Sequence, residues 1–249
     1  MSGAAAVSGA LRSTVFSLGL VIATLIFAPL AVMMFIAPYR MRYAFIIKWC
    51  HFNLWWLEVT CNVRCRVRGL HNIPKTPCIV LCKHQSTWET LALNLYFKPQ
   101  VWVLKKELLW VPFFGWGLAM LDPIAIDRSA GRNAVEQVLS QGEERLKRGC
   151  WVVIFPEGTR TPAGTRRRYK TGGAKLAVHT GAPVVPVAHN AGDFWPRRTF
   201  IKTPGTVELS IGPPIDPQGL SAAQINERAE QWIETEVARI RGTALAPPP

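Results

Sequence analysis

From residue 13 to residue 39 the chain carries no charged side chain, and STVFSLGLVIATLIFAPLAVMMFIAPY fills the interval between Arg12 and Arg40. About 20 helical residues at 1.5 Å each cross a hydrocarbon core, so this stretch is long enough to span one. A secretory signal has an apolar core of roughly 7 to 15 residues, which this run exceeds. Arg40, Arg42 and Lys48 follow at once, while Phe45, Trp49, Phe52 and Trp56 recur at helical spacing as one stripe. That pattern predicts a second helix lying at headgroup depth. Two arrangements stay open: a spanning first helix, or a helical hairpin dipping into one leaflet with Pro29 and Pro38 shaping it. Both set the three cations at the cytoplasmic face.

Charge and composition narrow the partners. With 29 Lys and Arg against 16 Asp and Glu, the net charge of +13 favours a polyanionic partner. Ten Trp, 49% hydrophobic residues and a mean hydropathy of +0.13 choose an anionic membrane surface over nucleic acid. The six cysteines, at 50, 61, 65, 78, 82 and 150, lie in or beside apolar runs, and no N-x-Ser/Thr acceptor occurs. This reads as reduced thiols facing a cytosol. Cys61 with Cys65, and Cys78 with Cys82, have an offset of four that on a strand merely repeats one face, so no metal is expected.

From residue 61 the texture changes to short apolar runs alternating with helical stretches. CNVRCRVRGL alternates as a half-exposed strand, and PCIVLC, VWVL, PIAI, CWVVIF, APVVPVA and TVELSIG read as further strands. TWETLALNLYF, RNAVEQVLSQGEERLKRG and YKTGGAKLAVHTG have helical character between them. Near the end Ser221 and Gln224 form a capping box before an apolar stripe of Ile225, Trp232, Ile233, Val237 and Ile240. The expected organisation is membrane-anchoring helices over 1–60, one α/β domain with a largely parallel sheet over 61–241, and a flexible tail over 242–249.

Several familiar sites are missing. There is no G-x-S-x-G, no H-E-x-x-H and no P-loop; the nearest approach, GTRRRYKT, has Tyr169 where glycine must be. Three stretches remain. KHQSTWET, residues 83–90, follows a buried strand, where α/β proteins tend to place ligands. CWVVIFPEGTRTPAGTRRRYK brings Arg160, Arg166, Arg167, Arg168 and Lys170 after another strand. LKKELLWVPFFGWGLAMLDPIAIDR joins a basic pair to a bulky apolar wall and ends in Asp127 and Arg128. A neutral base, several cations and a greasy surface fit a substrate with a hydroxyl, a phosphate and an acyl chain.

KHQSTWET followed by FPEGTR resembles the glycerolipid acyltransferase family that includes the 1-acyl-glycerol-3-phosphate acyltransferases, with LKKELLWVPFFGWGL, IDR and YKTGGAKLAVHTGAPVVPVA in the family's order. The likeness covers residues 69–214. It implies a glycerol-3-phosphate acyltransferase-like α/β domain behind a membrane-associated helical hairpin, with His84 as general base and Glu89 as its orienting carboxylate. It also implies Lys105, Arg128, Glu157, Gly158, Thr159 and Arg160 as substrate-binding residues, Arg160 leading by bidentate phosphate binding. The reaction implied is acyl transfer from coenzyme A or acyl carrier protein to a lysophospholipid, lysophosphatidate first, without metal or redox cofactor. The implied location is the inner membrane, with the catalytic domain facing the cytoplasm.

Two positions depart from the family pattern: Lys83 stands for Asn and Glu89 for Asp. Ser86-x-x-Glu89 is also a capping box, so one carboxylate has two candidate tasks. The Arg166–Lys170 run is read as a membrane-facing patch. Phe113, Phe114 and Trp116 are candidates for an acyl channel or for core, and His51, His71, His179 and His189 are read as structural.

Overall fold

The computed structural model describes residues 3–127 and 130–247. Arg128, and the last two residues of the expected tail, lie outside them. Helix α1 (Gly3–Met33) and helix α2 (Tyr39–Cys61) form an antiparallel hairpin, turned by a 3₁₀ turn at Met34–Ile36. Trp56 Nε1 donates to the carbonyl of Val15 at 3.3 Å, and the rings of Phe27 and Phe45 meet at 5.2 Å. A Cβ on Gly19 would fall 2.0 Å from Trp56 Nε1, so only glycine admits the indole there.

The aromatic stripe of α2 is thus used differently from expectation. Phe45 and Trp56 turn toward α1, and all four stripe residues are partly buried. The large apolar face left exposed belongs to α1, through Leu18, Val21, Ile22, Leu25 and Ile26. Residues Val7–Ile36 have a hydropathy of 2.5 with only 17% of the window buried, and are long and apolar enough to cross a membrane.

The seven predicted strands are all found among the described residues: β1 (Val63–Arg68), β2 (Ile79–Cys82), β3 (Gln100–Lys105), β4 (Ile124–Ile126), β5 (Trp151–Ile154), β6 (Val184–His189) and β7 (Gly205–Ile211). They form one sheet in the order β1-β7-β6-β2-β5-β3-β4. Every neighbouring pair is parallel except β6 with β7. Strands β2, β5 and β6 are buried throughout, as strands covered on both faces must be. At the edge, β1 exposes Arg64, Arg66 and Arg68, charges that deter pairing with another chain. Cys61 belongs to the end of α2, not to a strand as expected, while Cys65 lies on exposed β1.

Helices α3 (Trp88–Ala92), α4 (Phe114–Ala119), α5 (Arg132–Lys147), α6 (Gly172–Thr180), α7 (Ala191–Phe194) and α8 (Ala222–Arg241) complete the layers. The predicted helix over TWETLALNLYF is shorter than its pattern, passing into a 3₁₀ turn at Leu93–Leu95. Helix α8 starts with the predicted capping box of Ser221 and Gln224, and it buries Ile225, Ala229, Ile233 and Val237. The α2 side of the sheet holds one apolar cluster with Trp88, Trp151 and Leu57; the α5, α6 and α8 side holds another with Leu176, Ile225 and Ile233.

Candidate active site

Parallel strands aim their carboxyl ends in one direction, and here that end collects the polar motifs. β2 pairs with β5 with Leu81 opposite Ile154, and with β6 with Cys82 opposite Val187. Residues 83–89, 155–160 and 189 therefore leave adjacent strands side by side, a placement fixed by register alone.

His84 is 14% exposed, and its Nδ1 lies 2.9 Å from Glu89 Oε1. Its ring stacks on Phe155 at 4.0 Å, and no partner holds Nε2 among the described residues. Glu89 is fully buried, and the same Oε1 accepts the N–H groups of Gln85 at 2.9 Å and Ser86 at 2.8 Å. One oxygen thus serves the ring and the backbone of the turn, but the expected capping box is only half formed: Ser86 Oγ accepts the Trp88 N–H at 3.1 Å in place of that of Glu89, and α3 begins after Thr87 without a side-chain cap. Oε2 has no hydrogen-bond partner and sits 3.7 Å from His189 Nε2. Burial pushes the Glu89 carboxyl up, but the His189 and His84 rings and the Ser86 N–H outweigh it and leave it below the ordinary value. The pair is poised with the carboxylate ionised.

His189, read from sequence as structural, belongs to this shell. It is fully buried; its Nδ1 accepts the Ala191 N–H at 3.1 Å, so Nε2 carries the proton and donates to the Lys83 carbonyl at 2.8 Å. Burial lowers its pKa and keeps it neutral.

The 155–160 turn is tied to the histidine turn through backbone. Thr161 donates its N–H at 2.8 Å and its hydroxyl at 3.1 Å to the His84 carbonyl, which brings Arg160 beside the base. No ion pair holds the Arg160 guanidinium among the described residues, while burial lowers its pKa and nearby Glu89 partly restores it. A guanidinium remains charged regardless, so this one is free to take a phosphate. Gly158 has φ +71°, a left-handed conformation that favours glycine, and a Cβ there would press on the end of the Lys170 side chain at 3.2 Å.

A cavity of about 250 Å³ opens between the hairpin and these turns. His84, Gly158 and Arg160 form its polar mouth; Phe27 and Ala28 from α1, Trp49 and Cys50 from α2, and Phe114 and Leu118 from α4 wall its interior. Of the aromatic trio weighed as a channel, Phe114 lines the cavity. Phe113 and Trp116 do not; they are exposed and touch each other at 5.2 Å.

The other predicted substrate residues take different places. Glu157 is 1% exposed and does not line the cavity; its Oε1 accepts the His84 N–H at 3.3 Å. Burial pushes its carboxyl up to about 7, against the lowering effect of Lys83. Thr159 is half-buried and off the cavity wall, and Lys105 is exposed and paired with Glu107 at 3.0 Å. The neighbouring Lys106 pairs with Asp127 at 2.5 Å. In the Arg166–Lys170 run, Arg166 is held by Glu230 at 2.8 Å, so the run is not wholly a free patch.

A histidine with its carboxylate at the strand ends of an α/β sheet, beside an arginine on a cavity of about 250 Å³ lined mostly by apolar side chains, is the arrangement of an enzyme's active site. The chain belongs to the acyltransferase family, whose model matches residues 64–190. It is 51% identical over 209 residues, 82% of this chain and 81% of the relative, to the 1-acyl-sn-glycerol-3-phosphate acyltransferase of Pseudomonas aeruginosa. It is 32% identical to the protein of that name in Saccharomyces cerevisiae, covering 80% of this chain and 66% of the relative. Its fold matches the crystal structure of the 1-acyl-sn-glycerophosphate acyltransferase PlsC from Thermotoga maritima, with a TM-score of 0.77 over 94% of this chain and 96% of that one at 24% identity.

Proposed function

We propose that the protein transfers a fatty acyl group from a thioester of coenzyme A or acyl carrier protein to the sn-2 hydroxyl of lysophosphatidate, giving phosphatidate. The observation that carries this is the His84–Glu89 pair, at 2.9 Å, standing with Arg160 at the mouth of the apolar cavity. The names borne by the Pseudomonas and yeast relatives support lysophosphatidate as the acceptor.

In this scheme His84 Nε2 takes the acceptor hydroxyl proton as that oxygen bonds to the thioester carbonyl carbon. Glu89 fixes the tautomer with the proton on Nδ1 and stabilises the imidazolium that forms. The tetrahedral intermediate collapses, the C–S bond breaks, and the departing thiolate takes the proton from Nε2. No acyl-enzyme is needed, and no metal or redox cofactor enters. Arg160 holds the acceptor phosphate, and the cavity interior receives an acyl chain. In this reading the protein lies on the inner membrane, with the catalytic domain on the cytoplasmic side beside its lipid acceptor and anionic lipid; the exposed apolar face of α1 supports membrane association.

The test is acyl transfer by detergent-solubilised protein from labelled acyl thioesters to a panel of acceptors, with His84→Ala run alongside. Product from lysophosphatidate, reduced about 10²- to 10⁴-fold in the variant, is the expected result. Product from another acceptor alone would rename the substrate. No product from any acceptor, with folded protein and either donor, would remove the enzymatic reading in favour of a lipid-binding one.

A further inference from the structure

The scheme above leaves Lys83, the neighbour of the base, unused, and its surroundings are unlike those of an ordinary lysine. It follows β2 without a break and is fully buried. Its Nζ lies 2.6 Å from Glu234 Oε1 on α8, 3.3 Å from Glu157 Oε1 and 3.2 Å from the Thr165 carbonyl. Tyr169 donates its hydroxyl to the same Glu234 oxygen at 2.9 Å. The Lys83 backbone is held as well, its N–H by the Val187 carbonyl at 3.0 Å and its carbonyl by His189 Nε2 at 2.8 Å.

A buried ammonium costs several kcal/mol unless paired and hydrogen-bonded, so such a group persists where its partners need it. Here the partners are one carboxylate from the C-terminal helix and one from the turn that carries Gly158 and Arg160. Glu157 Oε1 faces Lys83 Nζ and also accepts the His84 N–H, so a single oxygen joins the ammonium to the backbone of the base. Lys170 N–H donates to the Pro156 carbonyl at 2.9 Å and closes the other side of the turn.

We propose that Lys83 is a positioning residue: by bridging Glu157 and Glu234 it locks the 155–160 turn to the His84 turn and to α8, and so sets the spacing between the base and the phosphate-holding Arg160. This rests on the reading of His84 and Arg160 given above. It assigns Glu157 to the support of the site in place of substrate contact, and makes Glu234, far along the chain, part of the same support. Position 83 is also one of the two places where the motif departs from the pattern it resembles.

The experiment pairs kinetics with hydrogen exchange on the full-length protein in detergent. Lys83→Met keeps most of the unbranched side chain, one atom shorter, and removes its charge; Glu234→Gln keeps the shape at Glu234 and leaves Lys83 with Glu157. In Lys83→Met, amides of residues 157–161 and of His84 are expected to exchange at least tenfold faster, with those of β1 and β7 unchanged. The ratio of kcat/KM for lysophosphatidate to that for monoacylglycerol, which lacks the phosphate, is expected to fall about tenfold, as in Arg160→Ala. Glu234→Gln is expected to move both readouts in the same direction by less, and stands in if Lys83→Met does not fold.

Unchanged exchange over 157–161 would overturn the proposal, and so would a loss of activity equal for both acceptors. If the wild-type protein acylates neither acceptor, the functional reading fails separately, and the exchange result still decides whether Lys83 locks the two turns.

Discussion

The polar mouth and the apolar interior of the same cavity are built by opposite means. At the mouth, four consecutive residues, 83 to 86, have backbone or side-chain groups bound by Glu89, Glu157, Glu234, Thr161 or His189, nearly all at 2.6–3.3 Å. In the interior, α1, α2 and α4 meet through side-chain packing, with Phe27 against Phe45 and Ala28 beside Gly117. Hydrogen bonds among buried charges have narrow geometry and large penalties when one member is lost. Packing responds to volume in a graded way. On the proposed scheme the chemistry lies where a single atom matters, and chain selection where a methylene matters.

The comparison breaks most sharply at Glu89. Its Oε1 serves His84 and two backbone N–H groups at once, and aspartate, one methylene shorter, is expected to keep either the ring or the backbone contacts but not both. Glu89→Asp, although it restores the carboxylate of the resembling pattern, is expected to lower kcat about 100-fold, within the range a mispositioned general base loses. Steady-state kinetics at saturating donor checks it; an activity equal to wild type would mean that the turn relaxes freely, contrary to its bonding.

Glu157 gives the next effect, in stability. Its folded pKa of about 7 lies above its ordinary 4.5, chiefly through burial, despite Lys83 and with Glu234 adding to the rise. The folded state thus holds this proton more tightly than the unfolded state. Its contribution is fully present below about pH 4.5 and lost as pH climbs through 7, a swing on the order of 3 kcal/mol. Glu157→Gln does not titrate, so denaturant midpoints of variant and wild type should diverge between pH 5 and 7.5 in the variant's favour. Glu89 acts oppositely: its depressed pKa adds stability above its ordinary value and loses it in acid. Parallel midpoints across that range would show Glu157 ionised throughout.

The same contrast explains what could be read before folding. The strands, the α8 cap and the longer helices are legible in period and punctuation, because apolar burial imposes both on sequence, whereas the short α4 and α7 are not. His84, Glu89 and Arg160 were found because their turns follow buried strands in a recognisable order. Lys83, Glu234 and His189 were not assigned a joint role, since nothing local marks a lysine as buried and its partner is 151 residues away. The only trace was Glu234 next to Ile233 on the buried face of α8, visible once the helix phase is known. A carboxylate beside glycine and a lysine at a strand end look alike as ligands in sequence; in the structure Glu157 is buried off the cavity wall, while Lys105 is exposed and paired with Glu107. The aromatic stripe of α2 failed for a related reason, because an amphipathic face does not say whether lipid or another helix covers it.

The smallest effect tests the interior. Cys50 is 3% exposed and contributes to the cavity wall without a hydrogen-bond partner among the described residues. Cys50→Phe adds bulk there, at a stability cost of about 1–3 kcal/mol for overpacking. Because the mouth is built from other elements, kcat with a short acyl donor should stay near wild type while the long-to-short donor ratio falls a few-fold. Competition between labelled thioesters of two lengths reads that ratio directly. If it does not move while the preference for acceptor chain length does, the cavity houses the acceptor's chain and the donor lies outside it. If kcat falls equally for every donor, the packed wall transmits strain to the His84 turn, and the two halves of the cavity are not independent.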